Sequence, residues 1–187
     1  MLVPALVVAA VLVLALVWFI SIYNRLVRLR NLKEEGWSGI DVQLKRRHDL
    51  VGNLVNTVKG YMTHERGLLE EVARCRSMCQ QSVGAGPAEA GRAEGMLTQA
   101  LGRLFAVMEN YPDLKAHTNS MHLQTELSGL EEAIQMARRY YNGTVRDLNT
   151  AIELFPSNMV ASMFRFAKAE YFELDNVEER QAPVVQF

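Results

Sequence analysis

The hydrophobic positions of this chain fall into three patterns. Residues 2–23, "LVPALVVAAVLVLALVWFISIY", carry no charged side chain at all. From Asn24 to about Ser82 apolar residues recur at three- and four-residue steps, among them Ile40, Leu44, Val51, Leu54, Val55, Val58, Tyr61, Met62, Leu69 and Val72. That spacing predicts an amphipathic helix. A second repeat holds Leu97, Leu101, Leu104, Phe105, Met108 and Tyr111, and a third runs from Leu123 through Leu127, Leu130, Ile134, Ala137, Tyr141, Val145, Leu148 and Ile152 to Phe155. Strand signals are nearly absent.

Punctuation residues separate the patterns. "VGAGPAEAGRAEG" at 83–95 predicts a turn followed by a helix with Pro87 in its first turn. Pro112 predicts the end of the second helix, because the residue before proline is pushed out of helical geometry. Asn119 or Ser120 then offers a cap for the third helix, which Pro156 ends. "SNMVASMFRFAKAEYFEL" adds a short helix rich in Met and Phe, and "DNVEERQAPVVQF" reads as an extended tail. "GWSG" at 36–39 is the expected bend. The expected fold is all-α: an N-terminal transmembrane helix (2–23) continuing into an antiparallel bundle of three long helices plus a short fourth (24–187).

The uncharged run decides the location. As a helix, residues 2–23 extend about 33 Å at ~1.5 Å per residue, enough to cross a hydrocarbon core of ~30 Å. A cleaved signal peptide would show a basic start and a shorter apolar run. Here nothing basic precedes the run, and Arg25, Arg28 and Arg30 follow it. Trp18 and Tyr23 stand near its far end, where interfacial aromatics collect. These five residues are the expected membrane-interface set. The positive-inside rule then places a short N-terminus outside and residues 24–187 in the cytoplasm, with the lipid bilayer as the first partner.

Net charge is −1, unevenly spread: Arg25 to Arg47 holds seven Lys/Arg against three Asp/Glu, and residues 170–187 hold five acids and one Arg. Basic residues beside the span suit an anionic inner leaflet and argue against nucleic-acid binding. Cys75 and Cys79 read as buried thiols in a reducing compartment. The chain has no phosphate loop, dinucleotide fingerprint or nucleophile elbow. None of its histidines, His48, His64, His117 and His122, follows a Glu by three residues, and each reads as a surface or helix-end residue. No catalytic residue, cofactor or metal is expected.

One stretch resists the simple amphipathic reading. In "DVQLKRRHDLVGNLVNTVKGY" a charged block, Lys45 to Asp49, interrupts the apolar repeat. On a helix centred on Val51, Arg46, Asp49, Asn53, Asn56 and Gly60 share the opposite side. A solvated face is one explanation. The other is a second helix-contact face, since amides set register between helices and glycine permits close approach. These five residues are the candidate subunit contacts of a homo-oligomer. Asn142, Arg146, Asn149 and Glu153 form a comparable row on the third helix.

The blocks "RLVRLRN", "DVQLKRRHDL", "NLVNTVKGYMTHE", "NYPDLKAHTNSMHLQTEL", "ARRYYNGTVRDLNTAIELFPSNMVA" and "FELDNVEERQAPVVQF", in this order, resemble the LemA family of bacterial membrane-anchored proteins. Gly52 departs from an expected proline and Ser120 from an expected aromatic. The resemblance implies one N-terminal span, a helical domain and no enzymatic activity, with relatives tied to membrane remodelling in organelle-forming bacteria. Two functions are expected: from the long anchored helix, the two-striped surface and the lack of catalytic residues, a membrane-anchored, self-associating scaffold in the bacterial inner membrane; or, from the Met- and Phe-rich segment 159–172 and the "PVVQF" end, an adaptor that recruits a partner.

Overall fold

The computed structural model describes residues 2–173, apart from the side chains of Lys115 and Ala116. The described residues form six helices and no strand: α1 (Leu2–Val58), α2 (Arg66–Gln81), α3 (Pro87–Met108), α4 (Pro112–Ala116), α5 (Thr118–Glu153) and α6 (Ser157–Met163). The all-helical expectation holds, and the expected tail from Asp175 onward lies outside the described residues.

Three boundaries differ from the expected ones. The bend at "GWSG" does not occur, and α1 is helical straight through it. Each glycine there costs only about 1 kcal/mol relative to alanine, and the Trp37 ring packs on Tyr141 at 5.4 Å, anchoring the segment. The helix expected to reach Ser82 instead stops at Val58, and Gly60 therefore stands in a turn rather than on a helix face. Tyr61 and Met62 both donate their N–H groups to the Val58 carbonyl, closing the turn and placing Met62 at 1% exposure in the core. Burying Met62 and redirecting α2 compensates for the lost helical bonds. Pro112, finally, does not cap α3 but opens α4 as its first residue. The residue before it, Tyr111, is extended at φ −112°, ψ 90°, as the proline demands.

Contacts divide the chain into two compact units: the described residues up to Ser38 with Arg139–Ala169, and Gly39–Arg138 with the segment from Glu170. In the first, the end of α5 runs antiparallel to α1. Trp37 meets Tyr141, and further along Leu26 shares a small core with Ala151, Val160 and Ala161. The Asn149 side chain clamps the chain after α6: its Nδ2 donates to the Ala169 carbonyl at 3.0 Å, and the Ala169 N–H donates to its Oδ1 at 2.8 Å. Glu153 pairs with Lys168. Asn149 and Glu153, two members of the polar row expected on the third helix, are thus engaged within the unit.

The second unit has the larger core. Val51, Leu54 and Val58 of α1, Leu69 and Val72 of α2, Leu97, Leu101 and Leu104 of α3, and Leu127 of α5 form it. α2 packs along α3. The connection between them turns on Gly84 (φ 89°) and Gly86 (φ 108°), left-handed conformations that glycine adopts without a Cβ penalty. Gly86 then caps α3, with Pro87 at its first position. Leu130 and Ile134, mid-stripe in the third pattern, are buried, whereas Phe155 at its end is 77% exposed. The stripe runs two residues beyond α5, where no helix remains to turn Phe155 inward.

Candidate functional site: a buried ionic network beside an apolar groove

Arg47 and His48 stand four and three residues before Val51, so the same helical geometry that buries Val51 buries them. They are 3% and 4% exposed. Glu94 occupies the corresponding place on α3, three residues before Leu97, and is 1% exposed. Across the core the three meet. The Arg47 guanidinium donates to Glu94 Oε2 at 3.1 Å and to Thr98 Oγ1 at 2.8 Å, and it pairs with Glu131 Oε2 of α5 at 3.0 Å. His48 Nε2 lies 2.6 Å from Glu94 Oε1. One arginine therefore ties α1, α3 and α5 together. The sequence alone places His48 at the surface; burial of its helix face overturns that. His64 and His122 are exposed as expected.

Arg76 of α2 extends the network. Its Nε donates to the His48 backbone carbonyl at 2.6 Å, and its guanidinium lies 3.1 Å from where a Cβ on Gly52 would be. That carbonyl is the normal helical acceptor for residue 52. A proline there would donate nothing, and Arg76 supplies a second donor to the same oxygen.

Cys79 closes the cluster. The ligand atoms of His48, Cys79 and Glu94 lie within 4.8 Å of one another, the arrangement among the described residues that could hold a metal ion. Burial first, then the charge of Glu94 and a hydrogen bond to it, push the Cys79 thiol far above its ordinary 9.0. The sulfur therefore stays protonated at neutral pH in this arrangement. Both Glu94 oxygens are already engaged, and a dication would sit beside buried Arg47. The cluster satisfies itself.

This protonation has a sign. An acid whose folded pKa is raised stabilises the fold below its unfolded pKa and loses that contribution as pH climbs above it. Unfolding midpoints should therefore fall as pH rises past 9.0. The fall should be shallower in Cys79→Ala, and denaturant titrations of both proteins across that range read the difference. Identical slopes would mean that the thiol ionises as freely in the fold as in the open chain.

Beside the network lies a groove of about 780 Å³, walled by Leu101, Phe105, Leu114 and Leu127 and including Arg47, Thr98 and Glu131 in its lining. Its volume is that of a ligand-sized cleft.

The residues singled out as subunit contacts are not brought into this site. Arg46, Asp49, Asn53, Asn56 and Gly60 are all exposed. Arg46 sits 3.8 Å from Glu126 of α5, a solvent-screened pair of small energetic weight. Gly60 has left the helix, so the row that keeps helical spacing is Arg46, Asp49, Asn53 and Asn56. Of the membrane-interface set, Trp18, Arg25, Arg28 and Arg30 are exposed. Tyr23 is half-buried against Phe164 at 4.6 Å, and the Arg30 guanidinium lies 5.5 Å over the Phe166 ring. Sequence reasoning misses the buried network, yet a signal for it exists: Arg47, His48 and Glu94 each fall on an apolar stripe, where a charge needs a partner.

α1 is the one helix among the described residues long and apolar enough to cross a membrane, with a window of mean hydropathy 3.0 that is 0% buried. The chain is 28% identical to magnetosome protein MamQ of Magnetospirillum gryphiswaldense, over 90% of this chain and 72% of that one. It is 29% identical to magnetosome protein MamQ 2 of Paramagnetospirillum magneticum, over 86% and 70%. It is 26% identical to protein LemA of Metamycoplasma hominis, over 83% and 70%. The family model of the LemA family matches residues 36–187. With that match across most of its length, the chain belongs to the LemA family.

Proposed function

We propose that this membrane protein is a non-enzymatic helical scaffold that self-associates and organises or remodels the bilayer in which α1 is anchored. The observation that carries the reading is the row Arg46, Asp49, Asn53 and Asn56. It lies exposed on α1, on the side away from buried Val51, Leu54 and Val58, and it is spaced like a helix seam. Hydrogen bonds across such a seam contribute ~0.5–1.5 kcal/mol each, small singly but multiplied by symmetry. The buried network supports the same reading, since Arg47, His48 and Glu94 are engaged in joining helices. Two of the relatives are by name magnetosome proteins.

Asn53→Leu and Asn56→Leu are expected to keep native helicity by circular dichroism while changing the oligomer distribution of the full-length protein in mild detergent. An unaltered size-exclusion profile in both, or a wild-type protein that is monomeric in detergents and nanodiscs alike, returns the row to a solvated face.

Exposed Arg25 and Arg28 just past the apolar run favour a cytoplasmic location for the helices beyond the span. An impermeant maleimide should then label Glu70→Cys, on an exposed position of α2, in lysed cells and not in intact ones. Labelling in intact cells reverses the topology. The groove beside Arg47 is the observation that favours the other reading, an adaptor that recruits a protein partner.

A further inference from the structure

The end of α5 and α6 expose large apolar side chains that their unit covers only in part. Leu154, Phe155, Met159, Met163 and Phe164 are between 47% and 77% exposed, all within eleven residues of sequence. Scattered apolar residues on a surface need no explanation, but a concentrated patch marks a contact. The occupant is identified by where this patch sits on α1. The Phe164 ring packs on Phe19 at 6.0 Å and on Tyr23 at 4.6 Å. Both belong to the uncharged run of residues 2–23. The descent of α5 agrees: it is opposite Trp37 at Tyr141 and shares a core with Leu26 at Ala151, so the next turn reaches the depth of Ile22 and Tyr23.

Polar groups then take over at the same depth. Arg25 and Arg28 are exposed on the next turn of α1, and Arg165 is exposed immediately after Phe164. Arg30 covers the outer Phe166 ring. Apolar side chains on one side of a level and guanidinium groups on the other match the boundary between acyl chains and phosphates.

We propose that the α5–α6 corner is a second membrane-inserted element, which embeds Leu154, Phe155, Met159 and Met163 among the acyl chains of the leaflet that holds the end of the α1 span. The occupant is lipid, because the patch is continuous with the surface of α1 that is itself in lipid. The chain thus holds its membrane at two points, a spanning helix and a shoulder packed against it. The inference rests on the anchoring of residues 2–23.

The test uses full-length protein in vesicles of phosphatidylcholine and phosphatidylglycerol. An environment-sensitive fluorophore is attached at Leu154→Cys, Met159→Cys or Met163→Cys, with unsubstituted protein as the labelling blank for buried Cys75 and Cys79. Trp18→Cys serves as the span reference and Glu70→Cys as the aqueous one. Lipids brominated in mid-chain should quench the corner labels to the extent seen at Trp18→Cys, and aqueous iodide should lose its effect on them relative to Glu70→Cys. Corner labels quenched by iodide and not by bromolipid overturn the proposal. So do labels shielded from both, which would place a second protein surface there. Failure of bromolipid to quench Trp18→Cys would instead sink the α1 anchor and the proposal with it.

Discussion

Glu94→Ala is expected to destabilise the protein by about 3–5 kcal/mol, the scale for removing one partner of a buried ion pair. The reason is the number of groups left behind. Arg47 loses its 3.1 Å partner, His48 loses a 2.6 Å contact, and both side chains stay in the interior. Arg47 keeps Thr98 and the half-buried Glu131, which holds the loss toward the lower end of that range. A stable domain has only about 5–15 kcal/mol to lose, so Glu94→Ala should also reduce yield. The double variant Arg47→Met/Glu94→Leu should recover much of the loss, because it removes both charges and fills their volume. Guanidinium unfolding of the full-length proteins in mild detergent, followed by circular dichroism, measures each corner of the cycle. A Glu94→Ala midpoint equal to wild type would show that water reaches the network.

Gly91→Ala carries the second large effect, and its sign is the informative part. At an exposed helical site this change stabilises by about 1 kcal/mol through propensity alone. Gly91 is buried, and a Cβ there would lie 2.0 Å from the Glu173 carbonyl oxygen. That contact is with backbone and cannot be relieved by a rotamer. The segment from Glu170 to Glu173 would have to leave α3 and take fully buried Phe172 with it. Exposing such a ring costs about 1.5–3 kcal/mol, which exceeds the gain in propensity. Net destabilisation, together with new proteolytic cleavage around residues 170–173, is the expected result. A more stable Gly91→Ala protein would show that the segment does not rest on α3.

The two predictions have different origins in the chain. The glutamate had a local trace, since it stands on the stripe of Leu97 and Leu101. Arg47 and His48 had the same trace on the stripe of Val51, but nothing local paired them with a residue 46 or 47 positions away. The glycine had no trace at all, because nothing near it announces that residue 173 will cross it. The break at Val58 belongs with the glycine. Gly60 alone is a weak stop, and the turn forms because Met62 gains a place in a core assembled from other helices.

What the sequence determined by itself is what depends on near neighbours. The uncharged run of residues 2–23 makes a helix that can cross a membrane; three- and four-residue steps set which sides of α3 and α5 are buried; and Pro87 begins a helix because its ring fixes φ. Asp49, Asn53 and Asn56 were legible as an open row for the same reason. Only the tertiary structure decided which charges go inside, which amides are spent on clamping the chain at Ala169, and which aromatics stack against Tyr23. Those outcomes turn on desolvation, which depends on whatever else arrives within a few ångströms. The same Arg–His pair would be harmless on a solvated helix, and it is a lock between α1, α3 and α5 only because Glu94 and Glu131 come to meet it.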